Sequence, residues 1–280
     1  MTMRALVLAG AICLMTMVAA YAGTLLHGTF ALQGGVATTA GYLDVTPTVS
    51  SDAWKLDFWM TPKNDRAPIR AYELEMTKLL HVIIVSDDFK TFMHVHPKLL
   101  STGHFVLDQE LPRPGLYHIY SDARPSAIGQ QVFRFDFQAG KAVPIAPRDL
   151  SERNAVVHVD GYSVALSTLS LRSGSSARIE VHIAKGGKPA TDIHPYLRAL
   201  AHAVFLDADD LTYVHVHPVA PGSLMGPANA TVYSNDAAVV SPNMLLSVTV
   251  NEPGTYKLWF QFRGGPSLHV ASFVLTAAKP

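Results

Sequence analysis

The chain has 280 residues, of which 49% are hydrophobic and 16% charged, so it is long enough to bury one or two sizeable cores and is not disordered. Lysine plus arginine and aspartate plus glutamate both count 22, which excludes a strongly basic nucleic-acid binder. Thirteen histidines stand against one cysteine. Because histidine both titrates near neutral pH and binds metals, the histidines are the first place to look for function.

The first 22 residues have the pattern of a secretory signal peptide. Arg4 precedes an apolar run of 16 residues that ends at Ala20, and Ala20-Tyr21-Ala22 resembles a cleavage site. A membrane-spanning helix needs about 20 residues, so cleavage after Ala22 is favoured over an uncleaved anchor. The sequence therefore predicts a periplasmic or secreted protein that has no membrane attachment after cleavage. The single cysteine, Cys13, lies in this segment, so the mature chain would have neither a disulfide nor a thiolate ligand.

The rest of the chain contains two copies of one module. Residues 80–97 read LHVIIVSDDFKTFMHVHP and residues 201–218 read AHAVFLDADDLTYVHVHP, an offset of 121 positions. From the proline that ends this motif to the proline of the following Pro-Gly-x-Tyr is 17 positions in the first copy and 35 in the second, where residues 219–242 read as a long loop. The predicted organisation is a signal peptide at 1–22, a first module at 23–140, a linker at 141–154 and a second module at 155–280.

Each module reads as a series of short β-strands. β-branched and aromatic runs such as WKLDFWM, LLHVIIVS and YKLWFQF are separated by Gly, Pro, Asp or Asn, and no strong helix pattern follows the first 22 residues. This spacing favours antiparallel sandwiches over alternating strands and helices. The predicted fold is all-β, with two tandem antiparallel β-sandwich domains. The pattern does not choose between immunoglobulin-like and cupredoxin-like topologies.

In each module, three histidines fall on one face of a predicted hairpin. If segments 79–86 and 91–96 pair with opposed positions summing to 177, His81 faces His96, and His94 points to the same side. Opposed residues have Cβ atoms about 4.5–5.5 Å apart, which lets two imidazoles reach one ion. The second copy places three histidines in the same way: His202, His215 and His217.

We interpret these two sets of histidines as metal sites. A single histidine of this kind is more often a satisfied core side chain, but here the same three positions recur in both modules. Imidazole-only sites suit copper and zinc, and the affinity order of divalent ions places Cu(II) above Zn(II), so a copper ion is the first choice and zinc the alternative. His269, near the C-terminus, is a candidate additional ligand in the second module only.

The motif T-x-x-L-H-V-I-I-V-S-x-D, followed by F-x-H-V-H-P and P-G-x-Y, resembles exported bacterial proteins with FixH/YtkA-like domains. The similarity covers residues 75–137 well and 195–274 in a variant form that departs at Ala203 and Phe205. The resemblance implies immunoglobulin-like β-sandwiches of a type labelled heavy-metal-binding, and an association with copper or related metals in the cell envelope. It implies no established reaction.

Three functions compete. The leading hypothesis is an envelope protein that captures or buffers a transition-metal ion, with an envelope metal-transport protein as a further partner. The alternative is a pair of immunoglobulin-like interaction modules in which the histidine motif is structural. A metalloenzyme is least favoured, because the sequence has no Ser/His/Asp, phosphate-loop or dinucleotide pattern and the nearby aspartates lie at the far end of each hairpin.

Overall fold

The computed structural model describes residues 23–48, 53–222, 233 and 235–280. The predicted signal peptide at 1–22 lies outside these residues, as does part of the predicted loop at 219–242. The described residues form strands and turns. None of their segments is a helix long and apolar enough to cross a membrane.

The first module contains two sheets. One has the strand order β1-β3-β4-β9-β8, and the other has the order β2-β11-β10-β6-β7, with β5 also paired to β10. The strands of this module are β1 (Thr24–His27), β2 (Thr29–Phe30), β3 (Thr39–Pro47), β4 (Ala53–Pro62), β5 (Tyr72–Glu73), β6 (Leu80–Ser86), β7 (Phe92–Val95), β8 (Lys98–Leu99), β9 (Phe105–Glu110), β10 (Gly115–Pro125) and β11 (Gln131–Ala139).

The second module repeats this plan. One sheet has the order β12-β13-β15-β16, with β20 beside β15, and the other has the order β14-β22-β21-β18-β19, with β17 beside β21. The β14–β22 pair is parallel. The prediction of an all-β fold with two tandem β-sandwiches is confirmed. The strands are β12 (Val156–Val159), β13 (Tyr162–Leu166), β14 (Ser170–Arg172), β15 (Ser176–Lys185), β16 (Lys188–Pro189), β17 (Ile193–His194), β18 (His202–Asp207), β19 (Tyr213–Val216), β20 (Asn243–Thr249), β21 (Gly254–Gly264) and β22 (Ser267–Ala278).

Each sandwich has its own hydrophobic core, built by alternation along the strands. In the first module, Val82 and Ile84 of β6 point inward and join a cluster that includes Phe58 of the opposite sheet. In the second module, Phe205 of β18 joins a separate cluster with Val181. Two independent cores explain how one repeated sequence folds into two similar domains.

A third cluster lies between the two sandwiches. β6 and β18 are buried at every position, so their outward side chains are covered as well as their inward ones. Outward residues of the first module, among them Ile83 and Val85, pack in this cluster with Val204 and Leu206 of the second module. The sheet containing β6 in one sandwich therefore packs against the sheet containing β18 in the other. We call this shared cluster the interface layer.

Aromatic rings from both modules meet in the interface layer. Tyr120 stacks on Tyr213 with ring centroids 5.2 Å apart, and its hydroxyl donates to the Leu211 carbonyl at 2.9 Å. Phe92 of the first module stacks on Trp259 of the second at 5.3 Å. Stacked aromatic pairs contribute about 0.5–1.5 kcal/mol beyond the area that they bury, so these two pairs help to hold the sandwiches together.

The predicted linker follows the edge of this interface. Residues 140–155 form no strand and are tied to both modules. The Asp149 amide donates to the Asp88 carbonyl at 2.8 Å, and the Lys257 ammonium donates to the Asp149 carbonyl at 2.9 Å. Arg148 forms an ion pair with Asp87 at 3.1 Å. The segment therefore lies against the joined sandwiches instead of spacing them apart.

Candidate metal centre

The two hairpins have the register that the sequence predicts. In the first, Ile83 pairs with His94, and in the second, Val204 pairs with His215. β7 and β19 each end one residue before the last histidine of the motif. A proline follows that histidine, and the strand stops there because proline has no amide hydrogen to donate to the neighbouring strand. Alternation then sends all the motif histidines outward, away from the sandwich cores and into the interface layer.

The first triad consists of His81, His94 and His96. The Nδ1 atom of His81 lies 2.9 Å from Nε2 of His94, and Nε2 of His96 lies 3.2 Å from the former and 3.1 Å from the latter. Three nitrogens that each bind one tetrahedral ion at about 2.0–2.1 Å stand about 3.3 Å apart. The first triad thus needs only a small outward adjustment to hold a metal ion.

The second triad consists of His202, His215 and His217. Nδ1 of His202 lies 3.4 Å from Nε2 of His215 and 3.1 Å from Nε2 of His217. The rings of His215 and His217 have centroids 4.7 Å apart. The same atoms are used as at the equivalent positions of the first triad.

The two triads lie side by side and form one histidine cluster. His94 and His202 have ring centroids 4.9 Å apart, and those of His81 and His215 are 5.4 Å apart. Potential ligand atoms of His81, His94 and His202 all lie within 4.8 Å of one another, as do those of the second triad. The sequence predicts two separate sites, one in each module. In the structure the two triads are adjacent, because both project from the sheet faces through which the two modules pack against each other.

Hydrogen bonds determine which ring nitrogens are free to bind an ion. Nε2 of His81 lies 3.1 Å from the Glu75 carbonyl, and Nδ1 of His94 lies 2.9 Å from Oε1 of Gln261. Both partners are acceptors only, so these two nitrogens carry hydrogens and the other nitrogen of each neutral ring is bare. The bare nitrogens are the pair at 2.9 Å, which cannot hydrogen-bond to each other. Nε2 of His96 lies 3.2 Å from the first of these nitrogens and 3.1 Å from the second, so the three nitrogens converge on one point.

Burial keeps the cluster neutral. Loss of hydration lowers the pKa of all six imidazoles, and repulsion from neighbouring rings adds to the effect at His94 and His202. The pKa of His96 falls to about 2 for the same reasons. Neutral imidazole is the form that binds metals, so these residues are ready to act as ligands at neutral pH.

Two side chains on the neighbouring strands hold histidines of the opposite module. Asp122 pairs with His81 in the sheet, and its Oδ2 lies 3.4 Å from Nδ1 of His215. Gln261 pairs with His202 in the same way, and its Oε1 accepts from His94. Sequence reasoning missed both residues. The available signal was their equivalent place in the repeat, each five positions after the tyrosine of Pro-Gly-x-Tyr.

Comparison with known proteins identifies the repeated unit. Residues 37–141 and 157–279 each match a family described as a domain of unknown function, DUF8832. The chain belongs to this family. The two matches correspond to the two copies of the histidine motif, so each triad lies in its own DUF8832 domain. A comparison with curated proteins found no match.

The structure places His269 away from the histidine cluster. It pairs with Phe262 in the β21–β22 ladder and points to the inner face of the second DUF8832 domain, where its ring contacts Tyr162. Its two nitrogens face Asp160 Oδ2 at 2.9 Å and the Gly264 carbonyl at 3.2 Å. The expectation of an additional ligand in this domain is therefore corrected, because alternation sends His269 to the face opposite the triads.

The corresponding position in the first DUF8832 domain is also structural. Gln131, which pairs with Ala123 at the equivalent point of the β10–β11 ladder, accepts hydrogen bonds from the backbone and hydroxyl of Thr39 through Oε1. His118 lies on the interface side but is held between Asp87 and Asp136 at 3.0 and 2.7 Å. Neither position contributes a nitrogen to the cluster.

Proposed function

We propose that this protein binds transition-metal ions in the histidine cluster, with copper as the preferred ion and zinc as the alternative. The observation that carries the proposal is the pair of bare nitrogens of His81 and His94, which face each other at 2.9 Å with a third imidazole beside them. Buried polar groups normally find hydrogen-bond partners. Two bare acceptors held together instead suit a cation, and imidazole suits copper and zinc.

The cluster has the capacity for two ions, one in each triad. Each triad offers three converging imidazoles, and both sets use Nδ1 of the first histidine and Nε2 of the other two. The proposed role is capture or buffering. The rings are enclosed between the two DUF8832 domains, with the side chain of His215 only 2% exposed and that of His217 only 7% exposed.

The setting of this activity is also part of the proposal. An N-terminal signal peptide would deliver the chain to the periplasm or outside the cell, where an envelope metal-transport protein is the expected donor or acceptor of the ion. This setting is also what the resemblance of the sequence motif to FixH/YtkA-like domains would imply. No catalytic step is proposed.

The test is metal titration of the full chain after removal of bound ions. We expect saturable binding of Cu(I) or Cu(II), and of Zn(II), with up to two ions per chain by calorimetry and elemental analysis. His94→Ala should remove most of the affinity of the first triad, because it deletes a ligand. His182→Ala is the matched control, because that side chain is 52% exposed and lies outside the cluster.

Three results decide the proposal. Loss of one of the two bound ions in His94→Ala, with both ions retained in His182→Ala, supports it. Absence of binding by the unaltered chain would refute it and favour the alternative, in which the histidine motif only joins the two domains. The same number of ions bound with the same affinities in both variants would mean that the first triad binds no ion.

A further inference from the structure

The histidine cluster contains a third set of ligands, which takes nitrogens from both domains. Ligand atoms of His81 and His94 in the first triad and of His202 in the second all lie within 4.8 Å of one another. The ring centroid of His202 is 4.9 Å from that of His94 and 6.1 Å from that of His81. We call these three residues the mixed set. His202 therefore belongs to the second triad and also borders the first.

An ion needs little movement to pass from the first triad to the mixed set. Two nitrogens that bind one ion at about 2.1 Å are at most about 4.2 Å apart. The limit of 4.8 Å for the mixed set is only about 0.6 Å longer, so a small movement of the rings is sufficient. The Tyr196 carbonyl holds the hydrogen of His202 on Nε2, which leaves Nδ1 bare. All three members of the mixed set thus have a bare nitrogen.

The two triads are not equally close to the protein surface. His96, the last histidine of the first triad, is the least buried of the six rings. Among the described residues, none is a hydrogen-bond partner for its Nδ1 atom. The equivalent ring of the second triad, His217, faces Glu75 of the first domain at 3.8 Å, and its side chain is only 7% exposed. Ions in solution therefore reach the first triad more easily than the second.

Transfer from one triad to the other is a ligand exchange. A bond from the ion to Nδ1 of His202 forms while a bond to His81 or His94 breaks, and His215 and His217 then complete the second triad. The ion keeps its charge, because no electron is transferred. The mixed set releases no proton, because its three ligand nitrogens are already bare. The ion thus moves between the domains without release into water.

We propose that metal ions enter the cluster through the first triad and pass through the mixed set to the second. The first triad is the entry site, His202 receives the ion, and the second triad is the enclosed site that retains it. This inference rests on the proposed metal-binding function and adds an order of loading to it. Transfer requires His202 of the second domain beside His81 and His94 of the first, which the packing of the two domains provides.

Stopped-flow absorption of the full chain tests the order of loading. The probes are Cu(II) and Co(II), a coloured substitute for Zn(II). His96→Ala removes a ligand from the first triad only, and His217→Ala is the matched change in the second. In His96→Ala the second triad should keep its affinity but fill roughly tenfold or more slowly, because the entry site lacks a ligand bond. In His217→Ala the first triad should fill at the rate of the faster phase of the unaltered chain.

Release of the ion supplies an independent measurement. Because the affinity of the second triad is unchanged in His96→Ala, a soluble chelator should remove its ion more slowly by the same factor. A second triad that fills and empties in this variant at the rates of the unaltered chain would overturn the inference, and so would a second triad that loses its affinity.

The unaltered chain provides a check that needs no substitution. Both triads filling together in a single phase would overturn the inference, whereas a slower second phase supports it. If circular dichroism shows that His96→Ala is unfolded, His96→Gln takes its place, because glutamine keeps a polar side chain there. Failure of every ion to bind would instead refute the proposed function.

Discussion

At the scale of single residues, a backbone carbonyl determines which ring nitrogen of the first histidine in each triad is free to bind an ion. The Glu75 carbonyl lies 3.1 Å from Nε2 of His81, and the Tyr196 carbonyl lies 3.1 Å from Nε2 of His202. A carbonyl only accepts, so each ring keeps its hydrogen on Nε2 and presents Nδ1 to the centre of the cluster. Metal-binding histidines are commonly oriented in this way by a second partner. The same contact between a backbone carbonyl and Nε2 of the first histidine occurs in both domains.

Titration of the cluster makes the stability of the metal-free chain dependent on pH. Burial holds the pKa of the six imidazoles below the value of about 6.5 that they have in the unfolded chain. Below pH 6.5 the unfolded chain therefore binds more protons than the folded one, and the free energy of unfolding decreases as pH falls. Each histidine contributes up to about 1.4 kcal/mol per pH unit in this window and no further change above it.

Urea denaturation of the metal-free chain at pH 7.5, 6.5 and 5.5 measures this effect. We expect a small change in the midpoint between the first two values and a large decrease between the last two. The loss should be smaller in His94→Ala and unchanged in His182→Ala. A constant midpoint from pH 7.5 to 5.5 would mean that the imidazoles are not buried in neutral form. Metal affinity should fall over the same pH range, because protons compete for the ligand nitrogens.

At the scale of elements, the β6–β7 and β18–β19 hairpins each serve two surfaces. Inward side chains such as Val82 and Phe205 fill the sandwich cores, whereas outward ones build the interface layer and the triads. An antiparallel strand with one solvated face shows alternating polar residues, but β6 and β18 are nearly continuous apolar runs. This pattern indicates that both faces are buried, and the histidines are the exceptions at the end of the outward face.

Trp259 connects the β21 strand to the opposite hairpin. Its ring stacks on Phe92 at 5.3 Å and meets Phe89 edge-on at 5.5 Å, both in the first domain. Trp259→Ala should therefore destabilise the interface layer by roughly 3–5 kcal/mol, a typical cost of truncating a buried tryptophan. We expect calorimetry to show two unfolding transitions instead of one, together with weaker metal binding, because the triads lose their partners across the interface.

Trp54→Ala is the matched control for that change. Trp54 contacts Phe137 at 4.9 Å on the sandwich side of the first domain and takes no part in the interface layer. Its truncation should lower the stability of the first domain but leave metal stoichiometry unaltered. If Trp259→Ala also retains full metal affinity, close packing of the two domains is not required for binding.

At the scale of the whole molecule, the two domains contact each other through equivalent faces. Asp122 of the first domain reaches His215 of the second, and Gln261 of the second reaches His94 of the first. Reciprocal contacts of this kind are typical of two-fold symmetric dimers. The chain therefore resembles a dimer whose subunits are covalently joined, with the histidine cluster between the two halves.

Separate expression of residues 23–140 and 155–280 tests this arrangement. Each half has its own core, so each should form a β-rich domain by circular dichroism. Each would also expose its side of the interface layer, so the mixed halves should associate, and metal ions should strengthen the association because the cluster forms between them. Sedimentation measures the complex. Halves that stay monomeric in a mixture with copper or zinc would contradict this prediction.

Local sequence alone determined the β-class, the repeat and the hairpin register. The register follows from alternation and an even turn, so His81, His94 and His96 could be placed on one face without knowledge of the rest of the chain. The repeat then extended this placement to the second domain, where Val204 pairs with His215 as predicted. The β-class and the hairpin register depend on residues within about 20 positions of one another, so short-range geometry is sufficient to specify them, and the repeat is visible by comparing two parts of the sequence.

Only the tertiary structure decided that the two triads meet. His94 and Gln261 are 167 positions apart, and Asp122 and His215 are 93 apart. Alternation separates the two faces of a strand but does not say which face lies inside its own sandwich and which is covered by another domain. That choice depends on how two complete sheets pack, which is a property of surfaces formed by many distant residues. For the same reason, His269 could be assigned to the inner face of its sheet only after the β21–β22 pairing was known.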